Sequence, residues 1–255
     1  MDAFSPCVTT QCCLCGSSHE LTGEHKIKAS ALRAEFGRNR LVVGRRGDRY
    51  RTAQSTGSRE LHFKPPLCAE CNSTRTQPGD RAFDYFRAIV LGIARQGKDP
   101  AIALQDIRFA VGGDLRLDVS RYFAKLLCCH LAELGAPHQV AISQFAIGHT
   151  DENCITLGVD RDIVYEGDQL KHPGLPYAAH GGLVLLADKH SFSPTGFYST
   201  LSIGPVQFRY CARFTAEGQM QLEIEDPDFV AWCRDRTRSQ QDDPSMQEDI
   251  RNLGF

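Results

Sequence analysis

The spacing of apolar residues divides the chain into a helix-bearing stretch and a strand-bearing one. Leu21 to Lys28 reads as a short strand and Ala29 to Phe36 as a helical turn. Gly37 to Ser58 has few apolar residues and several glycines, which predicts a basic loop or exposed hairpin with Gly47-Asp48 near its tip. Arg59 to Phe63 reads as a second strand, stopped by Pro65-Pro66. Ala69 to Thr76 predicts a short helix broken at Pro78-Gly79. Asp80 then serves as N-cap of a helix through Arg95, with Phe83, Phe86, Ile89, Val90 and Ile93 on one broad face. Val119 to Leu134 is amphipathic, its apolar positions including Tyr122, Phe123, Leu126, Leu127 and Leu131. From Gln139 to Glu225 short strands are expected between Gly, Pro and Asp turns, among them Gly182 to Ala187, Gly204 to Phe214 and Met220 to Ile224. A last helix is expected over Asp226 to Arg236, followed by a polar tail.

This order of elements predicts an α+β fold. Gly97 to Pro100 is a candidate boundary, giving an amino-terminal domain over 1–98, a mixed helix and strand domain over 99–238, and a mobile tail over 239–255. The 255 residues, 42% of them hydrophobic, suffice for one large core or two modest ones. No apolar run approaches the ~18 residues of a membrane helix. Met1 to Gln11 has neither the basic nor the apolar region of a secretory signal, so a cytoplasmic location is expected. Charge is uneven. Residues 1–98 carry 16 Lys and Arg against 9 Asp and Glu, and the remainder carries 13 against 22. The front half is therefore the part suited to a polyanion.

The 11 cysteines are best read by spacing. Cys12 and Cys15 form one CxxC turn, and Cys68 and Cys71 form another. Zinc takes four soft ligands at the corners of a tetrahedron, and two such turns close that site. The 52 intervening residues exceed what a simple zinc ribbon needs, so the metal would staple the ends of an insertion. Cys7, Cys13, Cys128, Cys129, Cys154, Cys211 and Cys233 form no such pair and read as small buried apolar residues.

The residues suited to chemistry are Glu24, His25 and Asn72. Phosphodiester cleavage needs an activated water and charge neutralisation at the phosphate. A neutral imidazole suits the proton abstraction. A hard divalent ion suits the phosphate and prefers oxygen ligands, which Glu24 and Asn72 offer. Asn72 follows a predicted zinc ligand directly, so the staple would place it opposite Glu24-His25.

Taken together, Cys12-x-x-Cys15, Leu21-Thr22-Gly23-Glu24-His25-Lys26-Ile27 and Leu67-Cys68-x-x-Cys71-Asn72 resemble the zinc-stapled HNH, or ββα-metal, endonucleases. The resemblance covers about Gln11 to Phe86. It implies a ββα-metal domain with His25 as general base, Glu24 and Asn72 holding a catalytic Mg²⁺ or Mn²⁺, and structural zinc on the four cysteines. It also implies cleavage of DNA, with RNA left open, in settings such as restriction, phage defence, repair or a mobile element. The chain departs from the family's pattern in three places. Glu24 stands where Asp is common, and Lys28 replaces a proline that often follows the His. The middle Asn that orients the catalytic His is absent from Arg59-Glu60-Leu61-His62-Phe63, where His62 is either its substitute or a structural histidine.

Arg38, Arg40, Arg45, Arg46, Arg49 and Arg51 lie within fourteen residues and are read as phosphate contacts. Asp80 and Asp84 are read as a helix N-cap and a solvated first-turn acid, with approach to the metal as the other option. Cys128-Cys129-His130 and His180 beside Gly181-Gly182 are read as structural. A homodimer or a regulatory protein partner stays open. The competing reading is a non-catalytic zinc module that binds nucleic acid or a protein.

Overall fold

The computed structural model describes residues 3–37, 41–43, 51–53, 58–171, 174 and 176–241. The fold is mixed α and β, as expected. The amino-terminal part opens on the first CxxC turn and a two-residue strand β1 (Leu21–Thr22), followed by α1 (Ala29–Phe36). A small antiparallel ribbon of β2 (Leu41–Val43) and β3 (Arg51–Ala53) comes next, while Gly47-Asp48, read as the tip of a hairpin, lies outside the described residues. β4 (Leu67–Cys68) returns to pair antiparallel with β1, Leu21 opposite Cys68 and Thr22 opposite Leu67.

The strand expected over Arg59 to Phe63 is only partly extended. Arg59–Leu61 is a single 3₁₀ turn, and the chain straightens at His62, which bridges His25. Likewise, only Leu21–Thr22 and the bridge at His25 belong to the strand read over Leu21 to Lys28. The reason is local: the two prolines at 65 and 66 lack ladder donors, so pairing is interrupted between the bridge and β4.

A π-helical turn over Glu70–Arg75, closed by Thr76 N–H to Cys71 O at 3.2 Å, leads into α2 (Gln77–Arg95). Pro78 does not break this helix. In the first turn its missing N–H would have had no intrahelical acceptor. Asp80 is therefore inside the first turn rather than at the cap, and its N–H bonds Thr76 O at 3.0 Å.

Residues Pro100–Gln105 form a 3₁₀ segment capped by Asp99, after which α3 runs over Arg116–Leu134. α4 is Val140–Ala146. The remainder is a five-stranded antiparallel sheet of β5 (Ile155–Arg161), β6 (Ala178–His180), β7 (Val184–Ala187), β8 (Pro194–Ile203) and β9 (Val206–Arg213). Its order is β5-β9-β8-β6, with β7 also on β8. α5 is Ile163–Lys171. Met220 to Ile224, expected as a strand, is instead part of α6 (Ala216–Glu225), because Thr215 accepts from Gly218 N–H and caps a helix there. α7 spans Pro227–Gln241, so the first residues assigned to a mobile tail are helical, and 242–255 lie outside the described residues.

Apolar side chains on both sides of residue 98 share one core running from Cys12 to Cys233. Phe83 of α2 stacks on Tyr122 of α3 at 3.9 Å and 6°, and Phe123 and Phe208 meet the same ring edgewise. Period-two alternation puts Phe197, Leu201, Phe208 and Tyr210 on the sheet face that α2, α3 and α7 cover. The candidate site sits at the edge of this helical layer.

Candidate metal centre and active site

The two CxxC turns meet. The ligand atoms of Cys12, Cys15, Cys68 and Cys71 all lie within 4.8 Å of one another, and among the described residues they form a group suited to a metal ion. Backbone bonds build the quartet. Cys12 N–H bonds Ser17 O at 2.7 Å, folding the first turn on itself. Cys13 N–H bonds Pro66 O at 3.1 Å and Ala69 N–H bonds Glu20 O at 2.9 Å, lacing the two turns together. Cys71 N–H points at Cys68 Sγ at 3.4 Å, the kind of amide-to-sulfur bond that stabilises a thiolate. Hydrogen bonding from the Cys71 thiol pulls Cys12 down to about 4, against its burial, while the same contact pushes Cys71 up. Four soft donors in a closed cluster fit structural zinc.

The staple also carries Asn72. Its amide nitrogen donates to Thr22 Oγ1 at 3.0 Å and to Gly23 O at 3.3 Å, so the residue after the second knuckle is fastened to the residue before Glu24. Its oxygen is the atom a hard cation would take.

His25 and His62 occupy facing positions. Lys26 N–H bonds Leu61 O at 2.6 Å and Phe63 N–H bonds Glu24 O at 2.9 Å, enclosing the bridge between them. Their rings lie 3.9 Å apart, centroid to centroid, at 44°. Gly23 makes room for this pair, since a Cβ there would stand 3.0 Å from His62 Nδ1.

Glu24 points the other way, as alternation along an extended segment requires. It is 8% exposed, and its Oε1 lies 2.9 Å from Lys125 Nζ. The same ammonium is 2.8 Å from Asp80 Oδ1. Burial pushes the Glu24 carboxyl up, and Lys125 is the main opposing influence. Burial pushes the pKa of Lys125 down, but the charges of Glu24 and Asp80 outweigh burial and raise it. A divalent ion would therefore meet Glu24 already engaged by an internal cation, whereas Asn72 is open to it.

Asp84, read as solvated, is paired with Lys28 at 2.6 Å, and Lys28 also donates to Asp80 O at 2.7 Å. Lys28 thus braces the turn beside the site. The sequence reading missed Lys125. The available signal was a lysine three residues after Tyr122 and four before Cys129, within the apolar arc of an amphipathic helix. Of the arginine segment, Arg38, Arg40, Arg45, Arg46 and Arg49 lie outside the described residues, and Arg51 enters only as backbone opposite Val43.

In the carboxyl-terminal part, Cys128 and Cys129 are buried, and Cys129 Sγ lies 3.6 Å from Cys13 Sγ. His180 is enclosed by Phe63, His130 and Tyr210. Its Nδ1 lies 3.0 Å from Gly181 O, which can only accept, so Nδ1 carries the proton and Nε2 accepts from Tyr210 Oη at 3.0 Å. Burial drives its pKa down to about 3, so the ring is a neutral structural element at neutral pH.

No helix among the described residues is long and apolar enough to cross a membrane. No family model matches the sequence, and no curated protein or solved structure matches the chain.

Proposed function

We propose that this protein is a metal-dependent endonuclease that hydrolyses phosphodiester bonds in DNA, built on an HNH-like hairpin and helix. The observation that carries the reading is the convergence of Asn72 on Gly23 beside the facing His25 and His62, organised by the four-cysteine quartet. In this reading His25 is the general base that takes a proton from water. His62 packs against its ring and limits how it can turn. Asn72 and Glu24, which Lys125 also engages, are the groups that would hold Mg²⁺ or Mn²⁺. Such an ion supplies charge neutralisation at the scissile phosphate. The arginines from Arg38 to Arg51 grip the phosphate backbone, which gives affinity without sequence choice.

A non-catalytic zinc module that binds nucleic acid or a protein is the second reading, favoured by the engagement of Glu24 with Lys125. Plasmid cleavage by the zinc-loaded protein with Mg²⁺ or Mn²⁺, beside His25→Ala and Asn72→Ala, separates the two. Cutting by wild type alone supports the nuclease. Binding of DNA by all three without cutting by any supports the module.

A further inference from the structure

Helix α3 reaches the site with two charged side chains: Glu133 pairs with Lys26, the residue after His25, at 2.7 Å, and Lys125 reaches Glu24 and Asp80. Lys125 stands in the middle of α3 and is 1% exposed. Its Nζ contacts Glu24 Oε1 on one side and Asp80 Oδ1 on the other. Glu24 precedes His25, and Asp80 is in the first turn of the helix that follows the second knuckle. One ammonium therefore ties the segment that carries Glu24 and His25 to the start of the helix that follows Asn72.

A lysine in so dry a position is costly unless it is paired. The two carboxylates and the face of Tyr122, 5.4 Å away, meet that need. The close approach of the helices is built in at Gly79, where a Cβ would meet Asp118 O at 2.9 Å and Tyr122 N at 3.1 Å. Any larger residue would push α2 off α3 and draw Asp80 away from the ammonium.

We infer that Lys125 is a positioning residue of the site, fixing the Glu24–His25 segment against the first turn of α2. Its catalytic consequence rests on the nuclease reading above. With Glu24 pinned inward, alternation turns His25 to the opposite side, toward His62. Removal of the ammonium leaves two carboxylates facing each other in a dry site, where they repel. The segment bearing His25 then moves. A displacement of about 1 Å costs on the order of 100-fold in rate, because the reacting groups must be held in line. DNA affinity, carried by other cations, stays as it was.

The test uses the full-length, zinc-loaded protein as wild type, Lys125→Met and Asp80→Asn. Two quantities are measured: kcat and KM for plasmid cleavage with Mn²⁺, and the ring resonances of His25 by NMR. The expected result is a kcat about 100-fold lower in Lys125→Met, a smaller loss in Asp80→Asn, and unchanged KM. His25 ring resonances shift in both variants, while those of the exposed His149 and His190 stay put. An unchanged kcat and unchanged His25 resonances in a variant that keeps its zinc and its Tm would overturn the inference. If Lys125→Met does not fold, Asp80→Asn, which retains the Lys125–Glu24 pair, decides by the same criteria. If wild type does not cut, the nuclease reading falls, and the His25 resonances alone still decide the positioning role.

Discussion

The rings of His25 and His62 lie 3.9 Å apart on chain segments joined by a single antiparallel bridge. His62 is thereby the cross-strand neighbour of the proposed base, a place from which a side chain can restrict the rotation of the ring opposite. A short polar residue would serve that purpose, and an alanine would not. His62→Asn should retain plasmid cleavage, whereas His62→Ala should lower kcat about 100-fold through loss of alignment. Equal activity of His62→Ala and wild type would make His62 a packing residue only.

The quartet should hold one zinc ion per chain, and its loss should be felt well beyond the knuckles, since Cys13, Ala69 and Asn72 all bind across the staple. Structural zinc contributes about 10–16 kcal/mol in small zinc modules. Cys71→Ser, which replaces a fully buried ligand, should abolish stoichiometric zinc by elemental analysis and lower Tm by many degrees. A variant that lacks zinc yet melts like wild type would show that the ion does not hold the fold.

At Gly79 the backbone of α2 packs closely against that of α3. Both atoms that a Cβ would strike belong to the backbone of α3 and cannot swing aside. Gly79→Ala should cost about 1–3 kcal/mol by overpacking, seen as a lower midpoint in urea. The same change should reduce cleavage, because it widens the gap that Lys125 spans. A neutral or stabilised Gly79→Ala would mean that the helices separate without strain.

His180 makes stability depend on pH in the acid range. Its folded-state pKa is pushed down to about 3 by burial, against about 6.5 in an unfolded chain. Below about 6.5 the unfolded state takes up a proton that the folded state refuses, so the contribution of His180 is complete above that pH and is lost as pH falls toward 3. Urea titrations from pH 7 to 4 should show a steeper loss for wild type than for His180→Gln. Parallel curves for the two proteins would place the proton uptake elsewhere.

Much of the local architecture follows from the sequence because it depends on near neighbours. The bounds of α1, the start of α2 within a few residues and the buried face of α3 come from apolar spacing and terminal residues. The two CxxC turns are legible for the same reason: a ligand pair is a property of four consecutive residues. Local readings failed where a second local device competed. Pro78 reads as a breaker but serves as a first-turn residue, and Thr215 converts an apparent strand at Met220 to Ile224 into a helix.

By itself, then, the chain determined its α+β class, the four cysteines that meet in a cluster suited to a metal ion and the three residues proposed to carry chemistry, all written in short motifs. Only the tertiary structure decided what those residues face. That His62 opposes His25 depends on the bridge between the segments. That Glu24 and Asp80 share the ammonium of Lys125, 101 and 45 residues further along, depends on α3 packing against α2 at Gly79. No periodicity encodes such contacts. They form because a buried charge must find partners wherever the folded chain brings them, and partners that distant are named only once the helices have docked.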